Sequence, residues 1–127
     1  FFAAYPGLRK WHRKAYNESG QYVYTLSGRR RFLGSTGSFM QRVNTPVQGT
    51  GADMLKLVLG LLPDMLKPTG AKIIATVHDE IVLECREEFA SEVASILEKA
   101  MVNAGMAYLK RVPVIAEAKI ASNWSEK

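Results

Sequence analysis

Cysteine is almost absent from this chain: Cys85 is the only one among 127 residues. That excludes an internal disulfide framework and a chelating cluster of cysteines, and it suits a reducing compartment. Long hydrophobic runs are missing too. No stretch reaches the roughly 18 uninterrupted apolar residues of a membrane span, and the opening FFAAYPGLRK lacks the basic-then-apolar order of a signal peptide. The expectation is a soluble, cytoplasmic protein with no membrane partner. Acidic residues are scarce in one region. Residues 1–45 carry Arg9, Lys10, Arg13, Lys14, Arg29, Arg30, Arg31 and Arg42 against Glu18, eight minus one or +7, while the rest holds nine basic and eleven acidic side chains, or −2. This polarity suits a polyanion held on one side, with phosphates the obvious candidates; taken alone, it suits a solvated basic face equally well. An initiating methionine is also lacking. Two leading phenylalanines read as a cut through a longer chain, which makes a missing upstream partner an expectation.

What is present suffices for one compact core, since 47% of the residues are hydrophobic. One domain over residues 1–127 is expected, whole or part of a larger one. Pro6 suits a helix's first turn, and Leu8, Trp11, Ala15 and Tyr16 recur at helical spacing until Gly20. QYVYTL and RRRFL flank Ser27-Gly28, a two-residue hairpin signal that puts an arginine cluster just past its turn. Thr45 as N-cap and Pro46 then open a long, mostly buried helix with Val47, Leu55, Val58, Leu59, Leu62 and Leu66 on its apolar face. Pro63 is expected to kink or end it.

AKIIATV and IVLEC follow, two β-rich runs apolar on both faces, which predict a buried hairpin covered from two sides. A further helix buries Phe89, Val93, Ile96, Leu97, Ala100 and Met101 and ends near Gly105. Residues 114–120 alternate as a last strand. The two tryptophans, Trp11 and Trp124, are assigned to packing.

Between the two β-rich runs stand His78, Asp79 and Glu80. A carboxylate beside an apolar core is costly to desolvate unless something positive meets it, and magnesium, which takes oxygen ligands from one or two carboxylates plus phosphates and water, answers that need. Three ordinary polar turn residues fit the same stretch, and a hydrolase's acid-base pair is a further reading, although no nucleophile accompanies it.

The motifs TLSGRRR, NTPVQGTGADMLKL and VHDEIVLE, in this order and spacing, resemble the C-terminal part of family A DNA polymerases, the DNA polymerase I group. FFAAYPGLRKWH at the front and SNW near the end fit the same template, so the resemblance covers nearly the whole chain. It implies an α+β fold: a partial polymerase palm with adjoining fingers elements, in which a small antiparallel sheet with a central β-hairpin is backed by two long helices, plus an N-terminal helix and hairpin. It implies template-directed nucleotidyl transfer to a primer 3′ hydroxyl by a two-metal mechanism, with Mg2+ as cofactor and with primer-template DNA, deoxynucleoside triphosphates and the remainder of the polymerase, in the same or a separate chain, as partners.

On this resemblance Asp79 is a metal ligand, with Glu80 a supporting catalytic acid and His78 near the primer terminus. Asn44 and Gln48, four apart on a helix, donate to the minor groove, where acceptors occur at every base pair. Gly49 and Gly51 permit close backbone approach there. Arg29, Arg30 and Arg31 face the duplex or neighbouring elements, although a strand alternates its side chains and cannot aim all three one way. Where relatives place an arginine four residues before the asparagine, this chain has Met40; Arg42 is the candidate substitute, from another face. A second metal-binding aspartate and a fingers helix with lysine and tyrosine belong to the region before Phe1, so the chain alone is expected to be inactive. The alternatives are a non-catalytic duplex-DNA-binding module and an assembly fragment.

Overall fold

The computed structural model describes residues 1–35 and 37–126. The chain forms two compact units, 1–51 and 52–127.

The first unit begins with helix α1, Pro6–Asn17, whose proline sits in the first turn as expected. Strands β1 (Tyr22–Tyr24) and β2 (Arg30–Phe32) pair antiparallel, Val23 opposite Arg31. Their connection is longer than the two residues expected: the Thr25 N–H donates to the Arg29 carbonyl, leaving Leu26, Ser27 and Gly28 as a three-residue loop. Gly28 takes φ 84, the left-handed conformation that such loops need at their last residue.

Helix α2 then runs from Phe39 to Leu66. Its start corrects the expectation at Thr45. Ser38 and Gln41 form a capping box, the Gln41 N–H donating to Ser38 Oγ at 3.3 Å and the Ser38 N–H to Gln41 Oε1 at 3.0 Å, so two orphan donors are satisfied seven residues earlier. Thr45 and Pro46 therefore lie inside the helix. Ala15, Val23, Leu33 and Val43 are the buried apolar residues of this unit.

In the second unit α2 continues past Pro63, which does not end it, to Leu66 and a 3-10 turn closed by Gly70 in the left-handed conformation. Strands β3 (Lys72–Val77) and β4 (Glu80–Glu84) form an antiparallel pair with an irregularity between Ile73 and Ala75. Helix α3 spans Ala90–Tyr108. Val58, Leu62 and Leu66 of α2 meet Ile81 of β4 and Val93, Ala100 and Ala104 of α3 in one buried cluster. The expected α+β arrangement, a hairpin backed by two long helices, is therefore present.

Two details differ. The hairpin is covered on one side, with Lys72, Ile74 and Thr76 exposed along the outer face of β3. Residues 114–120 keep their alternation but join no ladder. They lie along α3 instead: Val114 fills the space a side chain on Gly105 would need, and the Ala118 N–H donates to Glu98 Oε1 at 2.8 Å. Gly105 is thus a packing position inside α3 rather than its end. Trp124, expected in packing, is half exposed.

Candidate functional site

In the second unit, Val77 pairs with Glu80, so the hairpin turn consists of His78 and Asp79 alone. Two-residue turns need positive φ at one or both central positions. Among the described residues, His78, at φ 57, is the one non-glycine residue that adopts it. A side chain other than glycine is sterically disfavoured there, and such residues persist only where their surroundings hold them. Here the ladder holds one side of the turn and Ile81, two residues after Asp79 and buried in the core cluster, holds the other.

The expectation that this carboxylate sits against the core is corrected. Asp79 and His78 are exposed at the free end of the hairpin, and Glu80 is half-buried at the start of β4. Desolvation therefore gives no reason for a cation. Availability does: the Asp79 carboxylate makes no hydrogen bond or ion pair with a described residue, so its oxygens can serve a ligand. Among the described residues no three or more His, Cys, Asp or Glu side chains gather as a metal cage. The turn thus offers a hard oxygen donor on a stiff support, with one neighbouring acid, which fits a partial magnesium site completed by other oxygens.

In the first unit, Met40, Asn44, Val47, Gln48 and Gly51 are all exposed, and their i, i+4, i+7, i+8, i+11 spacing puts them on one stripe of α2. Val47, read from sequence as apolar core, is 61% exposed and belongs to this stripe. The opposite side of α2 receives the β1–β2 hairpin. The Leu26 N–H donates to Thr50 Oγ1 at 3.0 Å, and Thr25 places its methyl where a side chain on Gly49 would stand, 2.5 Å from the ideal Cβ. Gly49 therefore serves an internal approach, while Gly51 has nothing within 4 Å and leaves the outer stripe open.

The three consecutive arginines divide. Arg29 Nη2 donates to the Gly49 carbonyl at 3.1 Å and Arg31 Nη1 to Thr45 Oγ1 at 3.3 Å, both onto α2. Arg30 lies over the Tyr22 ring, 5.1 Å from its centroid. Arg42 is buried, its Nη1 has no hydrogen-bond partner among the described residues, and it lines a cavity of about 200 Å³ with Trp11, Lys14, Glu18, Tyr22 and Tyr24. Asp53 is also buried.

The chief residues the sequence reading passed over are Ser38 and Thr50, which start α2 and receive the hairpin. Ser38 carried a readable signal, Ser-x-x-Gln before an apolar run. Thr50 carried none, because its role depends on a hairpin brought to it from 24 residues away.

The family described as DNA polymerase family A matches residues 1–126. DNA polymerase I of Aquifex aeolicus (strain VF5) is 44% identical over 132 residues, covering 99% of this chain and 22% of that protein. Thermostable DNA polymerase I of Thermus filiformis is 36% identical over 137 residues, covering 99% of this chain and 16% of that one. The chain thus spans about a fifth or less of the length of these relatives. Among solved structures, the POL domain of Pol1 from M. smegmatis, in complex with DNA primer-template and dNTP, superposes with a TM-score of 0.73 at 28% identity, covering 81% of this chain and 20% of that one.

Proposed function

The chain belongs to DNA polymerase family A, and on that premise we propose that it forms part of a DNA-directed DNA polymerase, contributing a metal-binding carboxylate and a minor-groove surface. The reaction is template-directed addition of a deoxynucleoside monophosphate to a primer 3′ hydroxyl, of the two-metal class. The observation that carries this reading is Asp79: an exposed carboxylate with no described protein partner, on a two-residue turn braced by a β-ladder and by buried Ile81.

A magnesium ion bound there would supply Lewis-acid stabilisation of phosphate oxygens. Asp79 would hold it, and Glu80, the first residue of β4, would add to the local negative charge. His78, on the same turn, contacts the primer backbone. Asn44 and Gln48 donate amide hydrogens to the groove acceptors that purine N3 and pyrimidine O2 offer at every Watson-Crick pair, which senses pairing without reading sequence. Arg30 pairs with phosphate. Arg29 and Arg31 act first by fixing the hairpin to α2 and present any remaining donors to the duplex. Arg42, buried, supports the start of α2 from within rather than touching DNA. Deoxynucleoside triphosphates and the rest of the polymerase are the further partners.

The test is primer extension with magnesium by this chain together with a fragment carrying the preceding polymerase region. Extension that falls at least 1,000-fold in Asp79→Ala, against a smaller loss in Glu80→Ala, is the expected result. Extension unchanged by Asp79→Ala rejects the metal assignment. Duplex binding without any extension, insensitive to that substitution, favours a non-catalytic DNA-binding module.

A further inference from the structure

Helix α1 carries four cations, Arg9, Lys10, Arg13 and Lys14, and no acid. Arg9, Lys10 and Arg13 follow Pro6 at i+3, i+4 and i+7, so the four residues share one stripe, and together they line a shallow groove of about 280 Å³. This arrangement works against the helix. Like charges one turn apart repel, and cations near the N-terminal end meet the unfavourable end of the helix dipole. None of the three side chains makes a hydrogen bond or ion pair with a described residue to relieve it.

Beside this stripe runs a second one of rings. Tyr5, His12 and Tyr16 are spaced by seven and four, and Tyr5 and Tyr16 are 57% and 76% exposed. Cations and rings are immediate neighbours: Arg9 is four residues after Tyr5, and Arg13 is three before Tyr16. Phe39 meets both His12 and Tyr16, with centroids 5.4 and 6.0 Å away, and steadies that row. The inward side of the helix is separate, formed by Leu8, Trp11 and Ala15.

A duplex offers phosphates but hides its base faces, whereas a single strand offers both. A basic groove flanked by exposed rings matches the second ligand: cations track the backbone and rings stack unpaired bases without regard to sequence. We propose that the outer face of α1 binds single-stranded DNA, with Arg9, Lys10 and Arg13 on phosphates and Tyr5 and Tyr16 as stacking surfaces. Naming that strand as the unpaired template rests on the polymerase reading above; the binding itself does not.

The experiment is fluorescence anisotropy of the chain with a labelled oligothymidylate and with a labelled hairpin duplex across a salt series. For the single strand, the R9Q/K10Q/R13Q variant is expected to lower the magnitude of the log-affinity against log-salt slope by about two, three contacts at about 0.7 each. Tyr16→Ala is expected to weaken binding about tenfold at unchanged slope. Duplex affinity falls less than single-strand affinity in both. Circular dichroism should show at least parental helix content in the triple variant, since its repulsions are gone. A parental slope in the triple variant, an equal loss on the duplex, or no single-strand binding by the parent chain overturns the proposal. Primer extension and its dependence on Asp79 are read separately, so either reading can fall while the other stands.

Discussion

Gly49 and Gly51 are two residues apart on α2 and lack side chains for different reasons. At Gly49 a Cβ would meet the methyl of buried Thr25, whereas at Gly51 it would meet nothing within 4 Å. Gly49→Ala is therefore expected to destabilise by about 1–3 kcal/mol through overpacking. Adding Thr25→Ser, which removes that methyl and keeps the hydroxyl, should recover most of the loss; urea denaturation of the two single variants and the double gives the coupling. Gly51→Ala, by contrast, is expected to stabilise the chain by about 0.5–1 kcal/mol, because alanine loses less freedom in a helix. Both glycines were legible in the sequence as places where backbone comes close to something. Which one faces the protein and which faces outward was not, since that depends on where the β1–β2 hairpin docks.

At the scale of elements, α2 teaches the most. Its two internal prolines each remove a helical hydrogen bond, a cost of about 3 kcal/mol or more in an unsupported helix. Packing on either side of them sustains it: Val43, Thr45 and Thr50 are buried around Pro46, and Leu62 and Leu66 around Pro63. The helix therefore begins at the Ser38 capping box, and Ser38→Ala is expected to cost about 1 kcal/mol. For a chain of this size that is a fall of about 4 °C in thermal midpoint, measurable by circular dichroism. A midpoint identical to the parent's would mean that α2 starts elsewhere. Residues 114–120 make the complementary point. Their apolar alternation was readable and is present, but alternation specifies faces and not partners, and Gly105 and Glu98 of α3 take the place of a neighbouring strand.

Across the whole molecule, charge and chemistry are divided between the units. Residues 46–51 carry no charge, so the first unit keeps the +7 of residues 1–45 and the second the −2 of the remainder. The first is suited to nucleic-acid backbone and the second holds the acidic turn. Neutral and charged contacts should separate in a salt series on duplex DNA. Asn44→Ala and Gln48→Ala are expected to weaken binding at constant slope, whereas Arg30→Gln should reduce the slope by about 0.9, the counterion released per phosphate contact. A changed slope in the amide variants would remove them from the groove. No helix among the described residues is long and apolar enough to cross a membrane, which agrees with the absence of long hydrophobic runs.

The order of residues alone determined the family, the α+β class, the hairpin carrying His78, Asp79 and Glu80, and the pairing of Asn44 with Gln48 on one helical face, because each follows from local spacing or from motifs that need no distant partner. Tertiary structure alone decided that Asp79 stands in solvent rather than against the core, that Arg29 and Arg31 turn back onto α2 while Arg42 is buried, and that Val47 joins an exposed stripe. Burial is a property of what packs against a residue from elsewhere in the chain, and neither hydrophobic periodicity nor charge records it.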